Sequence, residues 1–216
     1  MGKINQGILD GFSGKVGTVV GYKVRGKKVM RAYVDKVKNP RTKKQLDVRL
    51  RFKTLVELAT GFLSATRIGL DRVAASLRNT VSNTFMCINQ GSVHATDGVA
   101  EVEYGSLQCS LGPLPQVGFS AASFDEPLQV SVAFSPNSDT PGADADDDVY
   151  LFVYEPVSGQ GLLSAPVKRS TASVDMHLPS TWSGLTVHVY GFAVGGGRDN
   201  ANQRSLSAYI GTGNVG

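Results

Sequence analysis

The sequence predicts an α+β protein in two parts: a basic β-hairpin with a helical pair over residues 1–90, then an acidic antiparallel β-sandwich over residues 91–216. Charge separates the parts first. Residues 1–90 hold 18 of the 22 lysines and arginines and 5 of the 18 acids, a net +13, while residues 91–216 hold 4 bases and 13 acids, a net −9. Such a split bears on partners, since the first part attracts acidic surfaces or phosphates and the second repels them. Periodicity changes at the same place, from glycine-punctuated strands and a helical stretch to short alternating runs after "NQGSVHATDGV". Composition is the third observation: 41% apolar residues with 25 glycines and 9 prolines describe a folded, turn-rich chain.

The hairpin is predicted from "KVGTVVGYKVRGKKVMRAYV". Val16, Val19, Val20, Tyr22 and Val24 form one arm, Val29, Met30, Tyr33 and Val34 the other, and Gly26 gives the "RGKK" turn its permissive backbone. A helix is expected to start where Pro40 follows Asn39 and where Thr42 with Gln45 makes a T-x-x-Q capping box. Val48, Phe52, Leu55, Ala59 and Phe62 then draw one apolar stripe to about Phe62. Lys44 and Arg51 fall on one flank of the stripe, Arg49 and Lys53 on the other. Cations at a helix start oppose its dipole, a cost of a few tenths of a kcal/mol each, and this local conflict points to an interaction role. A second helix is expected after Gly61 from Ile68, Leu70, Val73, Ala74, Leu77 and Val81, weakened in its first turn by Gly69.

The sandwich is predicted from seven runs: "VAEVEY", "LQCSL", "LQVSVAF", "VYLFVY", "ASVDMHL", "TVHVYGFAV" and "LSAYIG". Their number and spacing match an immunoglobulin-like or fibronectin-like sandwich, with Trp182 as core anchor.

Residues with reactive chemistry do not assemble into a motif. Gly14, Gly17 and Gly21 lack the lysine and hydroxyl residue of a P-loop and are expected within or beside strands. His94, His177 and His188 sit in no nucleophile or metal motif, so no catalytic residue, metal or cofactor is expected. Cys87 and Cys109, without C-x-x-C spacing, are expected as free thiols. Asp144, Asp146, Asp147 and Asp148 lack the EF-hand glycine and distal glutamate, which favours a solvated loop over a calcium site. No run reaches the roughly 18 apolar residues of a membrane span, Gln6 stands where myristoylation needs Ser or Thr, and synthesis in the cytoplasm is expected.

The opening "MGKINQGILDGFSGKVGTVVG", then "VKNPRTKKQ", "LGPLP", "VYLFVY" and "LPSTWSG" followed by "VHVYGFA" resemble, in the same order, a family of uncharacterised bacterial and prophage proteins known only as a domain of unknown function. The resemblance covers nearly the whole chain and implies a phage-associated context without an activity. Together with the charge split it implies a non-enzymatic structural protein of a phage or phage-like particle, a homo-oligomer in contact with other virion or assembly proteins and with no membrane partner. The expected contact residues are Lys43, Lys44, Arg49, Arg51 and Lys53 of the helix. The alternative is nucleic-acid binding, with Lys23, Arg25, Lys27, Lys28 and Arg31 of the hairpin joining them on phosphates. A third class, an adhesive or carbohydrate-binding display module, rests on the sandwich alone.

Overall fold

The structure, a computed structural model, describes residues 2–3, 13–36, 39–196 and 202–216. Contacts divide the chain after Thr42 into two compact units, residues 1–42 and 43–216.

The first unit is an antiparallel sheet of β1 (Gly2–Lys3), β2 (Gly14–Val16), β3 (Val19–Val24) and β4 (Lys27–Ala32), in the order β1-β4-β3-β2. Val24 pairs with Lys27, so the expected four-residue turn narrows to Arg25–Gly26. Both turn residues take positive φ, 47° and 79°, as a tight hairpin turn of the primed kind requires. Glycine adopts this conformation freely, arginine at a cost. Lys27 and Lys28 consequently join β4, and Lys23 stands directly opposite Lys28. Among the described residues, Val29 is the one buried apolar side chain of this unit.

The second unit begins with α1 (Lys43–Gly61), immediately after Thr42 as the capping signals predict, and continues through α2 (Leu63–Gly69), α3 (Asp71–Ser76) and α4 (Val81–Asn89). Four helical segments thus replace the expected pair. Leu70 bends the backbone between α2 and α3, Arg78 takes φ of 50°, and Thr80 caps α4 by accepting from the Asn83 N–H at 3.2 Å. A two-stranded hairpin follows, β5 (Val93–Thr96) and β6 (Val99–Val102), closed by Asp97–Gly98.

Two sheets form the sandwich. One pairs β10 (Gln160–Leu163), β9 (Asp148–Glu155), β13 (Thr186–Val194) and β14 (Ala208–Asn214) in that order, with β11 (Val167–Lys168) also on β9. The other has the order β12 (Ser173–His177), β8 (Gln129–Ser135), β7 (Gly118–Phe119). Five of the seven expected runs become strands of these sheets. "VAEVEY" instead supplies β6 of the separate hairpin, and "LQCSL" forms no strand. Side chains and a helix terminus already occupy its backbone: Asn89 binds both polar groups of Gln108, Ser207 Oγ accepts from the Cys109 N–H, and the Leu111 N–H reaches the Gly69 carbonyl.

The central strands β9 and β13 of the five-stranded sheet are buried on both faces, and their side chains divide by type. Val149, Leu151 and Val153 of β9, with Val187, Val189 and Ala193 of β13, meet Val130, Val132, Val174, Met176 and Trp182 between the sheets. Phe152, Tyr154, Tyr190 and Phe192 point the other way, against Leu55, Leu58, Phe62, Ala65, Leu70 and Phe85 of the helices. Phe62 lies 4.7–5.3 Å, centroid to centroid, from the rings of Phe85, Phe152, Tyr154 and Tyr190. The boundary expected near Gly91 falls inside one unit, because the apolar side chains of the helices pack on this aromatic face. Gly61 permits the approach, since a Cβ there would stand 2.5 Å from the Gly159 carbonyl oxygen.

Candidate interaction surface

An α-helix places residues four apart on one ridge, and in α1 the ridge Val48, Phe52, Val56 is turned outward. These side chains are 67%, 61% and 40% exposed. The stripe predicted from Val48 to Phe62 is therefore corrected: only Leu55, Ala59 and Phe62 of it are buried, because the aromatic sheet face covers just the C-terminal half of the helix. Arg49 and Lys53 stand on one side of the ridge and Lys44 and Arg51 on the other, as the spacing predicts. The first helical turn holds no acid.

The helix cations differ in their surroundings. Lys43 lies 3.7 Å from Asp97 and Lys53 3.7 Å from Glu57, both pairs in solvent, where such contacts contribute little. Arg51 is half-buried and its Nη2 donates to the Gln90 carbonyl, while its Nε is buried without an acceptor. Lys44 and Arg51 form walls of a cleft of about 390 Å³ together with Asp47, Val48, Val93, His94, Ala95 and Thr96. The β5–β6 hairpin makes the far wall and is clipped to α1 by the Gly98 N–H donating to Asp47 Oδ1 at 3.0 Å. His94, which sits in no sequence motif, is brought to this wall by β5. Its place here follows from the hairpin, which the Asp97–Gly98 dipeptide, a strong turn signal, announces in the sequence.

The hairpin cations do not share one surface. Residues of β3 and β4 alternate between the faces of the sheet, so Lys23 and Lys28 lie on one face and Lys27 and Arg31 on the other, with Arg25 in the turn. Arg31 approaches the Tyr22 ring at 5.9 Å, and Lys15 sits 3.5 Å over the Tyr33 ring.

Cys87 and His177 are exposed, while several other reactive groups are engaged in packing. His188 stacks on Tyr104 with ring centroids 4.0 Å apart, its Nδ1 lies 3.0 Å from Tyr209 Oη, and burial pushes its pKa down. Burial pushes the Cys109 thiol up to about 12, which keeps it protonated. The acidic loop is corrected from a solvated one. Asp147 is fully buried with Oδ2 3.1 Å from Arg169 Nε, and it accepts from the N–H groups of Asp144 and Gly196. Arg169 donates onward to Asn137 Oδ1 and to the carbonyls of Pro136 and Pro115. Lys168 binds Asp148 at 2.8 Å. Asp147 and Asp148, paired in this way, clamp the loops while Asp146 stays exposed, and among the described residues no group of three metal-ligating side chains occurs. A second buried arginine missed by sequence reasoning, Arg204, ties Asp71 and the Ile68 carbonyl of the helices to the segment before β14.

A cleft of about 560 Å³ lies at the other end of α1, lined by Thr54, Glu57, Tyr104, Tyr154 and Val157 among others. Among the described residues, no helix is long and apolar enough to cross a membrane.

The model of Family of unknown function (DUF6266) matches residues 11–211. Among solved structures, the fn3 domain of human collagen alpha-1(XX) chain is similar at 19% identity with a TM-score of 0.32, covering 49% of this chain and 88% of that one. None of the curated proteins compared matches the chain.

Proposed function

This chain belongs to DUF6266, a family of unknown function, over residues 11–211, and from that premise we propose that it is a non-enzymatic structural protein of a phage or phage-like particle, docking through α1 onto an acidic protein surface. One observation carries the docking: the exposed Val48–Phe52–Val56 ridge is flanked by Arg49 and Lys53 on one side and Lys44 and Arg51 on the other. An apolar strip rimmed by cations matches a partner with an apolar centre and an acidic rim, where burial supplies affinity and the rim supplies register and on-rate. The particle context is supported by the resemblance of the opening and "VKNPRTKKQ" stretches. We further infer a fibronectin-like layout for the sandwich, supported by the division into β12-β8-β7 and β10-β9-β13-β14.

Reversing the charges in Arg49→Glu with Lys53→Glu is expected to remove the chain from purified particles while leaving its thermal unfolding near that of the parent. Incorporation at the parent level would overturn the proposal. Nucleic-acid binding by the hairpin is the second reading, favoured by Lys27 and Arg31 on the same sheet face as Tyr22. It predicts affinity for random DNA that falls steeply with salt and with Lys27→Gln.

A further inference from the structure

We infer that β12 is an open sheet edge on which a second copy of this chain adds its own β12 antiparallel, with Asp175 of each copy opposite His177 of the other. The contact involves no residue of α1, so it stands or falls independently of the docking proposed above, and it gives the expected homo-oligomer a place in the fold.

The other edges of the sandwich are covered, kinked or short, the usual ways in which an edge is kept from pairing with another chain. Helices α1 and α2 pack on β10. Strand β14 carries Gly211 and Gly213 and a register shift opposite Val189 and Tyr190, and the turn Tyr104–Ser106 packs beside it. β7 and β11 are two residues long. β12 has none of these devices: Ser173–His177 ends its sheet, pairs with β8 in unbroken register and holds no glycine, proline or lysine.

Its backbone shows which residues are available. The Phe134 N–H donates to the Ala172 carbonyl at 2.9 Å and the Leu178 N–H to the Leu128 carbonyl at 2.7 Å, one bond at each end of the strand. Bonding sides alternate along an antiparallel ladder. Val174 and Met176 therefore bond toward β8, and Ser173, Asp175 and His177 turn their N–H and C=O groups to the open edge. Among the described residues no other strand takes them up. The side chains of the same three residues are exposed, while Val174 and Met176 face the core. On β8, Asp175 stands opposite Ser131 and His177 opposite Gln129, so the neighbouring strand offers no counter-charge.

These features select the register. Two β12 strands related by a two-fold axis must set outward-bonding residues against each other. A pair centred on Asp175 brings two carboxylates face to face, and one centred on Val174 leaves both charges unmatched. A pair centred on Met176 places Asp175 opposite His177 of the second copy at two positions. Opposite charges across a strand pair attract and like charges repel, and a neutral imidazole still donates its N–H to a carboxylate. Five residues on each side bury less than a permanent interface needs, so the contact forms at high local concentration, as among repeated copies in an assembly.

The test is amide proton exchange of the full chain, read residue by residue as concentration rises from micromolar to millimolar, with sedimentation to count copies. The Ser173, Asp175 and His177 amides are expected to gain protection as dimer forms, while those of Val174 and Met176, already bonded to β8, change little. Asp175→Lys, on an exposed side chain, is expected to weaken association roughly ten-fold, because each dimer contains the pair twice. Adding His177→Asp exchanges the two charges and is expected to restore it. Protection independent of concentration, or Asp175→Lys associating like the parent, would overturn the edge contact. An exchange variant no stronger than Asp175→Lys alone would overturn the register. Association that protects β14 or α1 and leaves β12 unchanged would overturn the choice of edge.

Discussion

One apolar spacing runs from Val48 along α1 to Phe62 just beyond its end, and its two ends meet opposite fates. The C-terminal half is closed: Leu55, Leu58, Ala59 and Phe62 are buried under the aromatic face of the five-stranded sheet. The N-terminal half is open, with Val48 and Phe52 more exposed than buried and cations on either side. Periodicity marks which side chains share a face of a helix, but not how far along the helix a neighbour extends to cover that face. The open half is thus an exposed apolar strip with cations on both flanks.

The comparison breaks most visibly at Phe62. Phe62→Ala removes the ring at the centre of the aromatic layer and is expected to destabilise the fold by about 3–5 kcal/mol, measured by urea denaturation. A loss below about 1 kcal/mol would mean the helices are not held by this layer. Gly61→Ala, which drives a Cβ into the Gly159 carbonyl, is expected to cost about 1–3 kcal/mol by the same measurement. Thr60→Ala, one residue earlier and exposed, is the neutral control.

Tyr154 sharpens the closed half through pH. Burial raises its hydroxyl from the ordinary value of 10.0 to about 12. Below pH 10 the phenol is neutral in both states and the packing is fully retained. Between pH 10 and about 12 the unfolded chain releases the proton first, so stability falls as pH rises. Tyr154→Phe is expected to flatten that alkaline decline in thermal melts, and an unchanged slope would assign it to other groups. The smallest effect belongs to the open half. Phe52→Ser is expected to shift stability by no more than about 0.5 kcal/mol while weakening particle incorporation. A large loss of stability would show that Phe52 is already covered within the chain.

Several features were legible because they are local. The Gly26 turn, the start of α1 after Thr42 and the "TVHVYGFAV" strand each depend on residues within a few positions of one another. The double burial of β9 was legible in principle. "VYLFVY" is an unbroken apolar run rather than an alternating one, the mark of a strand covered on both faces.

By itself the sequence determined the chemistry of each surface: aromatic against aliphatic on alternate residues of β9, cations on both flanks of the α1 stripe, an excess of acids after residue 90. Tertiary structure alone decided which of those surfaces meet. Asp147 finds Arg169 across 22 positions and Arg204 finds Asp71 across 133, while Arg51 and His94 come to line one cleft from separate elements. The physical reason is range. Hydrogen bonding within a turn and side-chain periodicity act over a few residues, whereas burial is a property of the whole packed chain, and it alone determines which charges must pair and which are left facing outward.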